Sequence, residues 1–216
     1  MKTLVYTVIT GNYDTLRPFK REQGFDYVCF TDNLDIQANG WLLKKVYPYP
    51  NPIKQQRILK IQPPMPGYQN SIYLDANFYI TGSLKELMQN HYKSGIMTIK
   101  HPTRSLLTEE ARQVVRLRKD NPRIINDHMA MLRMMCIPND CGLYATGMMI
   151  RDNSLTALQN KWAELLMRGS HRDQLSLGPS AWLTGTKVDT ITWQEMQKYF
   201  RLTAHKRNAG ILQQPV

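Results

Sequence analysis

Asp75 and Asn77 break an apolar run rich in β-forming residues, Ser71-Ile72-Tyr73-Leu74-Asp75-Ala76-Asn77-Phe78-Tyr79-Ile80. An ionised carboxylate is costly to bury, so Asp75 is expected where a buried strand emerges and meets water, a cation or a ligand. If the strand continues, its period of two places both side chains on one face. A carboxylate and an amide oxygen side by side make half a site for a hard divalent cation. The same pair also reads as an acid and an amide capping a turn after an ordinary strand.

Two more clusters carry chemistry. The stretch Ile53–Lys60 reads as a turn or two of helix, with Lys54 and Arg57 on one face and Lys60 close by. These are either a solvated basic face or cations aimed at a diphosphate. Ser170-His171-Arg172-Asp173-Gln174 gathers imidazole, cation, acid and amide in consecutive positions, more than the start of a helix needs for capping. The tail carries His205, Lys206 and Arg207 without a clear periodicity.

The elements that must position these residues follow from hydrophobic pattern. Residues 2–10 are a β-branched run that stops at Gly11-Asn12-Tyr13-Asp14, a strand entering a tight turn. That is the expected first unit of an α/β sheet whose ligands bind beyond the strand ends. No GxGxxG phosphate loop follows, so the dinucleotide fingerprint is absent. A second strand spans Asp26 to Asn33 and also ends in an acid and an amide, Asp32 and Asn33; a third covers Trp41–Val46. Ser83 opens a helix to about His91, and Ile96–Ile99 is another strand. Thr108 is the expected N-cap of a helix to Asn121-Pro122, with Arg112, Arg116, Lys119 and Arg123 along one face. Met129, Leu132 and Met135 form an amphipathic seam, and Cys141–Ile150 reads as a loop followed by a buried strand. Asn153 is expected to cap a helix containing Leu155, Leu158, Trp162 and Leu165, which Gly169 ends. The fold expected is α/β: a Rossmann-like, mixed but mostly parallel sheet flanked by helices, in one domain over 1–216.

Composition narrows the function class. At 216 residues with 42% hydrophobic side chains, the chain can bury a three-layer core and is not a disordered tail. No apolar run reaches the length of a membrane span, and the N-terminus shows no signal-peptide pattern. Three cysteines without metal-site spacing leave one over in any disulfide scheme, which fits a reducing cytoplasm. A net charge of +11 calls for an anionic partner, whether nucleotide phosphates, nucleic acid or a membrane surface touched peripherally.

Taken in order, several motifs resemble one family. They are Tyr6-Thr7-Val8-Ile9-Thr10-Gly11-Asn12-Tyr13-Asp14, Tyr27-Val28-Cys29-Phe30-Thr31-Asp32, Tyr73-Leu74-Asp75-Ala76-Asn77, His101-Pro102-x-Arg104, Gly142-Leu143-Tyr144-Ala145-Thr146-Gly147 and Arg172-Asp173-Gln174. The set resembles the glycosyltransferases of the GT-A fold, and most closely a small glycosyltransferase-like family of bacteria, plants and phages once called a domain of unknown function. The resemblance covers nearly the whole chain. It implies a nucleotide-sugar donor in the half 1–100 and an acceptor in the half 101–216. Thr10, Asn12 and Tyr13 would border the nucleoside, and Asp32 would contact base or ribose. Lys54, Arg57 and Lys60 would offset the diphosphate, with Gly147 also on the donor side. Asp75 and Asn77 match the Asp-x-Asp motif that binds Mn²⁺ or Mg²⁺, with an amide replacing the second acid. His205 would be a further ligand. Asp173 and Gln174 are the implied catalytic pair, with His171 beside them and Arg172 binding sugar or acceptor. The implied acceptor is a glycan or lipid-linked glycan. DNA carrying a hydroxylated base is an alternative that suits the basic stripe, and a non-catalytic binding module is another.

Overall fold

The computed structural model describes residues 2–203, so His205 and the rest of the tail lie outside the described residues. Seven strands form the main sheet: β1 (Thr3–Ile9), β2 (Phe25–Thr31), β3 (Leu42–Lys45), β4 (Asn70–Leu74), β6 (Ile96–Lys100), β7 (Tyr144–Asp152) and β8 (Val188–Ile191). Their order is β3-β2-β1-β4-β7-β6-β8. Every pairing is parallel except those of β7, which runs against both β4 and β6. The expected mixed, mostly parallel sheet flanked by helices is therefore present.

The period of two sorts the strand residues onto two faces. Val5, Cys29, Ile72, Leu74 and Ile150 pack on one face with Leu84 and Leu87 of α2 (Leu84–His91). Leu4, Tyr6, Val28, Tyr73 and Met149 pack on the other with Ile61 of α1 (Pro52–Ile61), Trp162 of α5 (Thr156–Arg168) and Leu177 of α6 (Gln174–Thr184). Helices cover both faces, so the central strands are continuously buried, as a parallel sheet requires. A third cluster joins α3 (Leu107–Arg116) and α4 (Pro122–Met134) to Leu165 and Leu175. The short α7 (Trp193–Met196) follows β8.

The stretch 71–80 is not one strand. Asp75 N–H donates to Gly147 O at 2.8 Å and Phe78 N–H donates to Asp75 O at 2.9 Å, a tight turn. The chain then leaves the main sheet, and β5 (Phe78–Ile80) pairs with β9 (Phe200–Leu202). Asp75 thus ends a strand and Asn77 lies in the turn, so they do not share a strand face.

Two helix starts also differ from expectation. Asn153 does not cap α5; its side chain holds Ser71 Oγ and Tyr68 O instead. The helix expected to be capped by Thr108 starts two residues earlier, with Leu106 at the N-cap and Glu109 accepting from Leu106 N–H. It ends at Arg116, and Arg118 adopts a left-handed φ of 50°. Lys119 lies in that turn and Arg123 in α4, so the basic stripe is not the face of one helix.

Candidate active site

Lys60 and Asp173 form the centre of a cleft beyond the end of β4. Lys60 sits in the last turn of α1, fixed from beneath: Tyr6 Oη–H and Arg151 Nη2 both donate to its carbonyl. Its ammonium lies 2.5 Å from Asp173 Oδ2 and 3.1 Å from Thr146 Oγ1, which itself donates to Asp173 Oδ2 at 2.9 Å. Arg57, one turn earlier, brings Nε to 3.7 Å from Asp173 and Nη1 to 4.0 Å from Asp75. Lys60 Nζ is 3.9 Å from Asp75 as well. Two cations and two carboxylates are thus interleaved.

Burial raises the Asp173 carboxyl, but Arg57 and then Lys60 outweigh it and hold the group well below the usual carboxylate range. Burial lowers the Lys60 ammonium, and Asp173 and Asp75 offset part of that loss. At 2.5 Å, with both side chains shielded from solvent, each group is the other's nearest counter-charge.

Asp75 is the more open acid, with 27% of its side chain exposed against 3% for Asp173. Tyr73 Oη donates to Asp75 Oδ1 at 2.5 Å and receives Gln56 Nε2 at 2.7 Å. Burial, then Asp75, pushes the Tyr73 hydroxyl well above its ordinary value, so it stays a donor. β7 enters here through an irregularity, because its pairing with β6 jumps between Thr98 and Ile99 and leaves Thr146, Gly147 and Met148 without partners on β6. A Cβ on Gly147 would fall 2.8 Å from the Phe78 ring and 3.2 Å from Asp75 Oδ2. Glycine is what lets the turn close onto β7.

The cleft measures about 160 Å³ and is walled by Arg57, Lys60, Asp75, Asn77, Arg172 and Gln174, with Trp193 and Leu202 at its apolar side. That is below the roughly 300–1,000 Å³ of pockets that enclose a whole ligand, so it suits one reacting group.

Of protein-family models and curated proteins, none matches this chain.

The residues expected at the site divide into three groups. Arg57, Lys60, Asp75, Asn77, Gly147, Arg172, Asp173 and Gln174 all line the cleft. Thr10, Asn12, Tyr13 and Asp32 gather at the ends of β1 and β2. There Gly11 N–H donates to Asp32 at 2.9 Å, Asn33 Nδ2 to Asn12 Oδ1 at 2.7 Å, and Thr10 Oγ1 to Pro52 O at 2.8 Å. Tyr13 is near enough to Arg57 for its hydroxyl to act on the guanidinium electrostatically, which links this rim to the cleft. Lys54 and His171 point elsewhere. Lys54 Nζ donates to Met167 O at 3.0 Å, and His171 holds Asp120 at 3.2 Å and Lys119 O at 3.0 Å.

Among the described residues no three His, Cys, Asp or Glu side chains come together as a metal cage. Asn77 nonetheless presents a free oxygen. Its Nδ2 donates to Thr203 O at 3.3 Å, while its Oδ1 is buried without a hydrogen-bond partner among the described residues. One carboxylate and one orphaned amide oxygen fit a hard cation that takes its remaining ligands from phosphate and water.

Tyr73, Thr146 and Trp193 were not expected at the site. Tyr73 and Thr146 are hydroxyl-bearing residues inside strands and read simply as strand formers, while Trp193 opens the four-residue α7, too short to show a pattern.

Proposed function

We propose that the cleft is the transfer site of a nucleotide-sugar-dependent glycosyltransferase. The observation that carries this reading is the Asp75–Asn77 turn at the end of a central strand, set against Arg57 and Lys60 and bordered by polar groups at the ends of β1 and β2. Open α/β sheets bind ligands beyond the carboxyl ends of their strands.

In this reading the nucleoside lies over Thr10, Asn12, Tyr13 and Asp32, and the diphosphate extends toward Arg57. Asp75 and Asn77 would hold Mn²⁺ or Mg²⁺, which when bound offsets charge on the departing diphosphate. Arg57 supplies fixed positive charge near the same place, and a preorganised cation of this kind stabilises the transition state without reorganisation. Asp173 holds Arg57 and Lys60 in position. A carboxylate so depressed is a poor proton acceptor at neutral pH, so its role here is orientation and not base catalysis. Gln174 Nε2 donates to Tyr144 O at 3.1 Å, which fixes its amide at the mouth where the sugar would sit. The acceptor, a glycan or lipid-linked glycan, approaches from the α3 and α6 side. Among the described residues no helix is long and apolar enough to cross a membrane.

A thermal-shift screen of nucleoside diphosphates with and without Mn²⁺ tests this reading. A melting temperature raised by one nucleotide, more with metal than without, supports it. No shift with any nucleotide at millimolar concentration would remove it, and binding without turnover of any donor sugar would point to a non-catalytic module.

A further inference from the structure

The charges around the cleft are unevenly matched. Arg57 and Lys60 stand against Asp75 and Asp173, two against two. Arg104 is matched by Glu110, 2.7 Å from its Nη2. Asp120 is engaged by Ser170 Oγ at 2.5 Å and by the His171 ring at 3.2 Å.

Among the described residues Arg172 forms no ion pair within 4 Å, although the carboxylates of Asp173, Glu110 and Asp75 act on it from farther off. It lines the cleft, its Nη2 reaches the neutral Gln174 Oε1 at 3.2 Å, and its Nε is buried without a hydrogen bond among the described residues. A buried donor left unpaired costs free energy, and an anion taking a guanidinium fork recovers it. Lys119, exposed in the turn after α3, stands beside it: its carbonyl is 3.0 Å from Nε2 of His171, the residue before Arg172, and the two charges interact. Burial, then Arg57, makes the Arg172 charge harder to hold; burial, then Arg172, does the same to Lys119. Like charges crowd this wall. Directly after Arg172 and Asp173, Gln174 opens the eleven-residue α6, whose N-terminal end adds partial positive charge.

We propose that this wall is a subsite for an anionic group on the acceptor, a carboxylate or a phosphate, with Arg172 as its main contact and Lys119 at its rim. The idea rests on the transfer reading but concerns the other substrate. The nucleoside rim lies on the β1 and β2 side of β4, whereas Arg172 stands two residues before Gln174, whose Nε2 donates to Tyr144 O of β7 on the other side. An acidic sugar or a phosphorylated glycan therefore meets unmatched positive charge that a neutral sugar does not use.

Calorimetric titration of the free protein with glucose, glucuronate and glucose 6-phosphate tests the subsite without any donor. The expected result is that glucuronate or glucose 6-phosphate binds at least about tenfold more tightly than glucose, a charge-assisted pair being worth that much. Which of the two binds better tells carboxylate from phosphate. Arg172→Gln should remove that advantage, Lys119→Gln should reduce it about two- to threefold, and a nucleoside diphosphate should not displace the acid. Equal binding of the three sugars, none included, would overturn the proposal, as would an advantage untouched in both variants. Displacement by a nucleoside diphosphate would also overturn it, by giving Arg172 to the donor. Lys119 is exposed, so its variant keeps the test decisive if Arg172→Gln fails to fold. Failure of the transfer reading looks different: the acids bind as expected, and no nucleoside diphosphate does.

Discussion

Lys60 Nζ lies 2.5 Å from Asp173 Oδ2 although Lys60 is in the last turn of α1 and Asp173 just before α6, more than a hundred residues later, and the two side chains are 1% and 3% exposed. Removing one member of such a pair leaves a buried charge without a counter-ion. Asp173→Ala should therefore cost about 3–5 kcal/mol in urea unfolding, while Lys60→Met with Asp173→Leu should recover most of that loss. The sign with pH follows from the depressed carboxyl. The contribution is complete above about pH 4, the unfolded value, and is lost as acid drives the pH down toward the folded one. A double variant no more stable than Asp173→Ala would show that the pair is not what matters there.

Asp75 should behave in the opposite way. It is partly exposed and ends a strand, so Asp75→Asn is expected to cost no more than about 1–2 kcal/mol in stability. Donor turnover should fall at least about a hundredfold if the carboxylate holds a metal or orients Arg57. Melting temperature and turnover measured on one preparation separate the two effects. A large loss of stability would make Asp75 a structural residue.

Tyr73→Phe removes the hydroxyl that fixes Asp75 Oδ1 and that Gln56 donates to. Outer partners of a metal-binding carboxylate are worth about 10–100-fold in affinity. The expected outcome is a Mn²⁺ dependence shifted to about tenfold higher concentration, with maximal turnover reduced less. An unchanged metal titration would take Tyr73 out of the site.

Much of the fold is legible in the sequence because β1, β2 and β4 are buried apolar runs, although α1 opens at Pro52, capped by Asn51, one residue before the expected Ile53. The break at Asp75 is not legible. Ala76 to Ile80 continues an apolar pattern that a strand would also show, and only Gly147 O, more than seventy residues away, captures the Asp75 amide. Helix α6 is hidden for a related reason. It is apolar on nearly all sides and holds Pro179 in its interior, so no period of 3.6 appears. The Ser170–Gln174 cluster is readable as polar but not as divided: His171 turns to Asp120 while Asp173 turns to Lys60. Side-chain direction at a helix start depends on what packs around it, and the local sequence does not hold that information.

Three histidines give the protein a pH-dependent stability. Burial lowers the pKa of His101, His128 and His171, with Arg104 adding to the effect at His101. The unfolded chain binds protons near pH 6.5 that the folded one refuses, so stability should rise with pH from about 5 to 7. Each full proton difference contributes about 1.4 kcal/mol per pH unit. His128 is the most buried, and its ring lies so close to the backbone of Gly169 that a Cβ there would fall 1.8 Å from the ring nitrogen. Unfolding in urea across that range checks the slope; a stability that falls between pH 5 and 7 would contradict it.

The account is tested most directly by calorimetric titration of a nucleoside diphosphate, chosen by the thermal screen, into wild-type protein and Asp75→Asn, each with and without Mn²⁺. The result predicted is that Mn²⁺ tightens binding to the wild type by at least about tenfold and that Asp75→Asn, still folded, loses this gain. Binding that ignores both the metal and the substitution would contradict the assignment of the Asp75–Asn77 turn as the diphosphate and cation site.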